Sequence, residues 1–559
     1  MPTFLANALW IALSAPESIR WRLSTRAVEK TQRATLTRIL RAGAAANYAS
    51  RITHYPSPSI PEFQQTFPLT TYADLAPWIE RIAAGEENVL TAQPVSLLEP
   101  TSGSTAAGKL IPYTPALKDE FQRGIAPWVT HSFLHHPALF GGQAYWSVTP
   151  VTARNRRSVG GVPIGFEDES EYFGGVESRL INAVMAVPSA VKLIADMDSF
   201  RYVTLLFLLR SRRLALISVW NPTFLTLLIQ PLTVHGERLA ADIAAGTLTP
   251  PAPLDADLLR LLTMHNRPDP ARGDEIRHIL TTAKTAAERH RRLWPRLRLI
   301  SCWADANAAR YAEQLHALFP QAALQPKGLL ATEGFVSFPL DGQPGAALSL
   351  RSHFFEFLPV HEDQTDLTAT PKLAHELDLH ARYAVVITTG GGLYRYQLGD
   401  IVEVTGFFNR CPLIRLIGRA GAVSDWFGEK LHEAHVRRVL EDVLTERGLA
   451  PSFAMLACDD ALPQPVYVLY LEDAHTDDAA LSTLAADVER RLCENVHYAY
   501  CRDLGQLAAL RVFRVRGGAL DAFIRSCVAH GQRAGDVKPV ALHRRSGWSQ
   551  IFSGEFLVA

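Results

Sequence analysis

Apolar positions along this chain follow two rhythms, three-to-four and two, and the switches between them outline its elements. Met1–Ala15 is apolar without the basic leading stretch of a secretory signal, which predicts an amphipathic helix packed on the body. Residues 26–45 have helical spacing with basic residues on the opposite face. Phe67–Leu75 leads through a Thr/Asp cap into a short helix reaching Ile82. Residues 121–133 read as helix, and 141–171, rich in glycine and aromatics, as an irregular substrate-lining loop. Helix, strand (214–219) and helix follow over 199–232, then helices at 252–263 and 271–292. Strand-like 297–303, helical 306–318 and strand-like 322–329 continue the alternation, and 348–359 and 383–389 add strands before the turn Gly390-Gly391-Gly392. This order predicts an α/β fold, helices covering the faces of a sheet.

Size and composition change that picture little. A chain of 559 residues exceeds one ordinary domain, and 48% apolar with 20% charged residues describes a globular protein with a sizeable core. Zero net charge gives no reason to expect a nucleic-acid partner. Six cysteines without paired spacing read as thiols of a reducing compartment. No uninterrupted apolar run is long enough to span a bilayer, so the expectation is a cytoplasmic protein, a monomer without a membrane partner.

Chemistry concentrates first in Thr101-Ser102-Gly103-Ser104-Thr105-Ala106-Ala107-Gly108-Lys109. Hydroxyls, glycines and an ammonium in one tight turn can aim several donors at a phosphate. Gly103–Lys109 also fits the frame of a Walker loop. However, Leu110 stands where Mg²⁺ needs a hydroxyl, and Pro112 and Pro115 suit the required following helix poorly. His131, His135 and His136 include the i, i+4 spacing of metal ligands, but no acidic or cysteine partner stands near them in sequence, so they are not expected to bind a metal. His432 and His435 are three apart, not four, and make no zincin motif.

Two later stretches add to the loop. Ala331-Thr332-Glu333-Gly334 puts a carboxylate and a hydroxyl at a strand end, where they can hold Mg²⁺ against nucleotide phosphates. In Gly392-Leu393-Tyr394-Arg395-Tyr396-Gln397-Leu398-Gly399-Asp400, the aspartate follows a glycine and leads into a β-branched strand, and its carboxylate can accept from both hydroxyls of a ribose. Arg419 lies between glycines, a flexible place for a cation, and Lys538 sits on a Gly/Pro-punctuated loop near the C-terminus.

The loop, Thr-Glu-Gly, Tyr-Arg-Tyr-x-x-Gly-Asp and the glycine-flanked arginine occur in the order of the adenylate-forming superfamily. The finer text resembles one branch, the Gretchen Hagen 3 acyl-acid amido synthetases, first known as auxin-responsive plant proteins. The matching residues are Phe67–Tyr72, Ile79–Ile82, Thr101–Pro112, Trp294-Pro295, Arg310-Tyr311, Ala331–Gly334, Phe354–Pro359 and Gly392–Gly406. This resemblance implies an adenylate-forming-enzyme-like large N-terminal domain of mixed sheets with helices over 1–417, a hinge at 418–422 and a small mobile α/β domain over 423–559. It implies ATP and Mg²⁺, a carboxylic acid and an amine (usually an amino acid) as substrates, and an acyl-adenylate between them. By matching position, Ser102, Gly103, Ser104, Thr105 and Lys109 would hold phosphate. Thr332 and Glu333 would contact nucleotide and metal, Asp400 the ribose, Arg419 would sit at the hinge, and Lys538 would serve adenylation. Ala106 and Leu329-Leu330 depart from the pattern, where a loop glycine and an adenine-stacking aromatic are usual. An acyl-CoA ligase and a non-catalytic nucleotide-dependent binding protein are the alternative readings.

Overall fold

The computed structural model describes residues 3–48, 59–101, 109–147, 156–165, 180–181, 183–305, 308–361, 364–419, 423–424, 426, 429–459, 464–474, 476–503, 506–530, 532 and 534–557. Ser102, Gly103, Ser104 and Thr105 therefore lie outside the described residues. The fold is mixed α/β, in two compact units: residues 1–305 with 309–416, and 306–308 with 417–559.

The first unit holds two large sheets. One is four-stranded and parallel, in the order Gln143–Trp146, Leu214–Ser218, Leu299–Cys302, Ala323–Pro326. Parallel neighbours need long crossovers, and here the chain supplies helices such as Met197–Arg210, Pro231–Ala245 and Ala309–Leu318. Strands covered on both faces should be apolar throughout, and Leu214–Ser218 and Leu299–Cys302 are buried at every position. The other sheet has eight strands and pairs antiparallel around Phe354–His361, Arg382–Thr388 and Tyr396–Phe408.

Several expectations are corrected. The helix expected over 271–292 is two, Pro270–Thr282 and Ala286–Leu293. Thr285 interrupts it and caps the second, its Oγ1 accepting the Glu288 N–H at 3.1 Å. Gln143–Trp146 is a strand within the stretch read as irregular; at four residues it is too short to show a period. Pro115 does not obstruct a helix but opens one, Pro115–His135, at the first-turn position where a missing N–H costs nothing. The Walker reading fails instead because the loop is followed by a strand, Leu110–Tyr113.

The second unit is a five-stranded sheet, in the order Leu542–His543, Phe453–Asp459, Val466–Glu472, Ala508–Val515, Gly554–Phe556. Helices Glu433–Glu446 and Asp478–Leu492 share its main apolar cluster, and Trp548, fully buried, stacks on Phe523 and Phe552.

Candidate active site

The described residues on either side of 102–108 form a closed neck. Leu97–Pro100 and Leu110–Tyr113 pair antiparallel, and the Thr101 N–H donates to the Lys109 carbonyl at 2.8 Å. Tyr72, first residue of the helix capped by Thr71 and Asp74, accepts the Leu110 N–H at 2.9 Å. The Lys109 ammonium lies 5.5 Å from the centre of the Tyr72 ring, and burial raises that phenol above its ordinary range. Lys109 is thereby set at the rim of the loop.

Thr332 and Glu333 are the two turn residues between paired strands Leu330–Ala331 and Gly334–Phe335. Tyr113 at the end of the hairpin donates its hydroxyl to the Thr332 carbonyl at 2.6 Å, fastening the loop's neck to this turn. Glu333 is not a solvated turn carboxylate: it is 6% exposed and accepts from the Tyr396 hydroxyl at 3.3 Å.

A buried pair that sequence reasoning missed supports the turn from below. The Phe335 N–H donates to His353 Nε2 at 2.9 Å, and His353 Nδ1 donates to Glu120 Oε2 at 3.0 Å. A backbone N–H can only donate, so the His353 tautomer carries its proton on Nδ1. Glu120 also accepts from Gly390 N–H (2.9 Å) and Arg38 (3.1 Å). Both side chains are fully buried. A Cβ on Gly334 would lie 2.9 Å from His353 Nε2, so only glycine lets the turn sit this close. The one trace of this pair in the sequence is a glutamate that breaks the apolar face of the helix Pro115–His135.

The most distinctive motif, Tyr394-Arg395-Tyr396, has a structural explanation. Arg395 takes φ +48° and turns its guanidinium inward onto Glu356 of Phe-Phe-Glu-Phe, Nε at 3.0 Å from Oε2 and Nη2 at 3.0 Å from Oε1. Its Nη1 donates to the carbonyls of Gln64 (2.8 Å) and Phe67 (2.7 Å). Thr70 hydrogen-bonds the backbone of Arg395 and Gln397, and its hydroxyl donates to the Tyr394 carbonyl at 2.8 Å. Three motifs far apart in sequence thus meet at one buried ion pair.

Asp400 does not precede its strand. It lies within the strand Tyr396–Phe408, where pairing with the neighbouring strand lapses between Gln397 and Ile401. Gly399 has φ +79° there, and the bulge leaves Asp400 partly exposed on a strand whose first residue, Tyr396, reaches Glu333. Arg419 closes the strand Cys411–Arg419 instead of sitting in a free linker. Lys538 is exposed, between a turn at Ala534–Asp536 and the strand Leu542–His543; it and Arg419 belong to the second unit. Lys109, Thr332, Glu333 and Asp400 belong to the first.

A second group missed from sequence lines the C-terminal ends of the parallel strands, where ligands of open α/β sheets bind. Lys327 donates to Ser218 Oγ at 2.7 Å and lies 5.0 Å from the ring centres of both Trp128 and Trp220. Trp303 packs against Trp220 with ring centres 5.7 Å apart. Burial pushes the nearby Asp305 carboxyl up to about 6, against the opposing pull of Arg415 and the Leu416 N–H.

Residues 20–324 match the GH3 family N-terminal domain, 346–419 its central domain and 434–546 its C-terminal domain. The chain belongs to the GH3 family. Among its GH3 relatives, the probable indole-3-acetic acid-amido synthetase GH3.11 of Oryza sativa subsp. japonica is 25% identical over 543 residues, covering 91% of this chain and 90% of that protein. The indole-3-acetic acid-amido synthetase GH3.3 of Arabidopsis thaliana is 26% identical over 445 residues, 76% of this chain and 73% of the relative. The solved structure of the AtGH3.15 acyl acid amido synthetase in complex with 2,4-DB superposes with a TM-score of 0.82 at 20% identity, covering 99% and 98% of the two chains. The GH3 fold is therefore the fold of this protein.

Proposed function

We propose that this GH3 protein is a ligase that activates a carboxylic acid with ATP to an acyl-adenylate and passes the acyl group to an amine, an amino acid being the expected acceptor. The supporting observation is the double tether of the Thr332-Glu333 turn. The Tyr113 hydroxyl ties it to the neck of the phosphate loop, and the Tyr396 hydroxyl ties it to the strand bearing Asp400. This turn offers a nucleotide a buried carboxylate, with Lys109 at one tether and the Asp400 strand at the other.

The chemistry needs these groups. A carboxylate does not acylate amines because its leaving group would be oxide; joining it to the α-phosphorus makes AMP the leaving group. Lys109 opposes the charge that builds on the phosphates, and Asp400 orients the nucleotide through its ribose. Glu333 is the oxygen donor suited to Mg²⁺, which when bound neutralises phosphate charge. The Tyr396 hydroxyl, donating to Oε1, holds that carboxylate in place. Ser102, Gly103, Ser104 and Thr105 enter as phosphate donors, and Arg419, Lys538 and the hinge at 418–422, from family resemblance alone. The acid is assigned to the edge formed by Trp128, Trp220, Trp303 and Lys327, where flat aromatic walls suit an aryl acid and an ammonium its carboxylate. We place the reaction in the cytoplasm and in a monomer. No described helix is long and apolar enough to cross a membrane, and no disulfide joins the six cysteines.

The test is product analysis. With ATP, Mg²⁺ and a panel of aryl and aliphatic acids, mass spectrometry should detect an amide when amino acids are supplied and no thioester when CoA replaces them. A thioester without any amide would instead identify an acyl-CoA ligase.

A further inference from the structure

We propose that His131, His135 and Asp341 form a binding site for one divalent transition-metal ion of the zinc class, separate from the nucleotide site. The three histidines ending the helix Pro115–His135 lack an acidic neighbour in sequence, which argued against a metal. The fold corrects that reading by bringing Asp341 to them from the turn after the strand Ser337–Pro339. One ligand atom from each of His131, His135 and Asp341 lies within 4.8 Å of the others. Tetrahedral zinc with bonds of about 2.0–2.2 Å sets its ligands roughly 3.3–3.6 Å apart. Side-chain rotations close the difference, above all at the exposed His135.

Two of the three groups, His135 and Asp341, are chemically prepared. His135 Nδ1 lies 3.0 Å from the His131 carbonyl, which can only accept, so the proton is on Nδ1 and the Nε2 lone pair is available. An imidazole held by a hydrogen bond from its other nitrogen is the usual state of a metal-bound histidine. Asp341 Oδ2 is buried and accepts no hydrogen bond from the described residues, while Oδ1 lies 3.3 Å from His136 Nε2. The imidazoles of His131 and His135 lie close, ring centres 3.8 Å apart and planes inclined at 33°, and each has a nitrogen within 4.8 Å of an Asp341 carboxylate oxygen. Two imidazoles and a carboxylate favour zinc, nickel or copper over Mg²⁺, which takes oxygen ligands. Two features weaken the site. The Asp341 N–H occupies His131 Nε2 at 2.8 Å and competes with the ion, and Arg22 is among the charges acting on His131. An affinity on the order of micromolar follows, short of that of a closed structural site.

An ion here would clip the end of the helix to the turn holding Asp341. Glu120 lies on the same helix eleven residues before His131, roughly 16 Å along its axis, so the clip stays clear of the Glu120–His353 pair on that helix. The full-length protein, stripped with a chelator, is titrated with Zn²⁺ by calorimetry and with Co²⁺ by visible absorption, in excess Mg²⁺. One equivalent should bind, Co²⁺ should give the intense bands of a tetrahedral ion, and zinc should raise Tm. His135→Gln and Asp341→Asn should each weaken binding at least tenfold with unchanged circular dichroism, while the control His265→Gln should bind as the parent does. Absence of stoichiometric binding, or equal affinity in all three variants, would overturn the proposal.

Discussion

Breaking the ion pair beneath the Tyr-Arg-Tyr motif should be among the most damaging single changes in the first unit. Arg395 and Glu356 side chains are 6% and 1% exposed, so neither has water to fall back on. Arg395→Met leaves the carboxylate with Gln64 Nε2 at 2.8 Å as its remaining observed partner and removes the donor from the Gln64 and Phe67 carbonyls. Losing one partner of a buried pair costs about 3–5 kcal/mol. Glu356→Gln keeps the shape and one acceptor oxygen but removes the charge, for about 2–3 kcal/mol. Eight of the ten tryptophans (10, 21, 78, 128, 146, 220, 294 and 303) lie in this unit, so tryptophan fluorescence reports on its urea unfolding. With a urea slope of about 3 kcal/mol/M, the Arg395→Met midpoint should fall by roughly 1 M or more and the Glu356→Gln midpoint by less. The double variant should lose less than the sum of the singles, with a coupling of about 1–3 kcal/mol. Midpoints within about 0.2 M of the parent, or strict additivity, would show that the pair does not hold the motifs together.

Asp400→Asn should raise the KM for ATP with the fold unchanged, since losing a charged acceptor of two hydroxyls costs about 2–3 kcal/mol; unaltered ATP kinetics would remove Asp400 from the site. Lys538→Ala should slow adenylate formation about 100-fold or more and aminolysis of a supplied acyl-adenylate far less; single-turnover assays of the two steps separate these, and equal losses would refute a role confined to adenylation. Burial lowers His290 to about 4 from 6.5, so the unfolded chain binds its proton first as pH falls. The stability His290 gives by staying neutral is complete above pH 6.5 and is lost as pH falls toward 4, by roughly 3 kcal/mol in all. His290→Gln should flatten urea midpoints across that window, and an unchanged pH profile would contradict the assignment.

What could be read from sequence was what repeats locally. The capped helix at Tyr72, the paired apolar strands and the order of the motifs are short-range patterns, and the helix and strand types followed from them. Boundaries went astray where one residue decides: Pro115 opens a helix, and Thr285 divides one. The Tyr-Arg-Tyr motif was visible but its meaning was not, because Glu356 is 39 residues from Arg395 and only pairing of Phe354–His361 and Tyr396–Phe408 with Arg382–Thr388 brings them together. Glu120 and His353 are 233 residues apart, and Asp341 is 210 from His131. No spacing along the chain encodes such contacts, so support beneath a site and clusters between elements appear only in the fold. Asp400 shows the same limit at shorter range: that Gly399-Asp400 falls at a bulge inside a strand, and not ahead of one, depends on its strand partners.

The central claim is that this chain adenylates a carboxylic acid, and acid-dependent exchange of labelled pyrophosphate into ATP measures that step alone. Exchange should require Mg²⁺ and the cognate acid, proceed without any amine, and collapse in Asp400→Asn at low ATP. Exchange that ignores the acid, or none with any acid while the protein still binds ATP, would contradict the account.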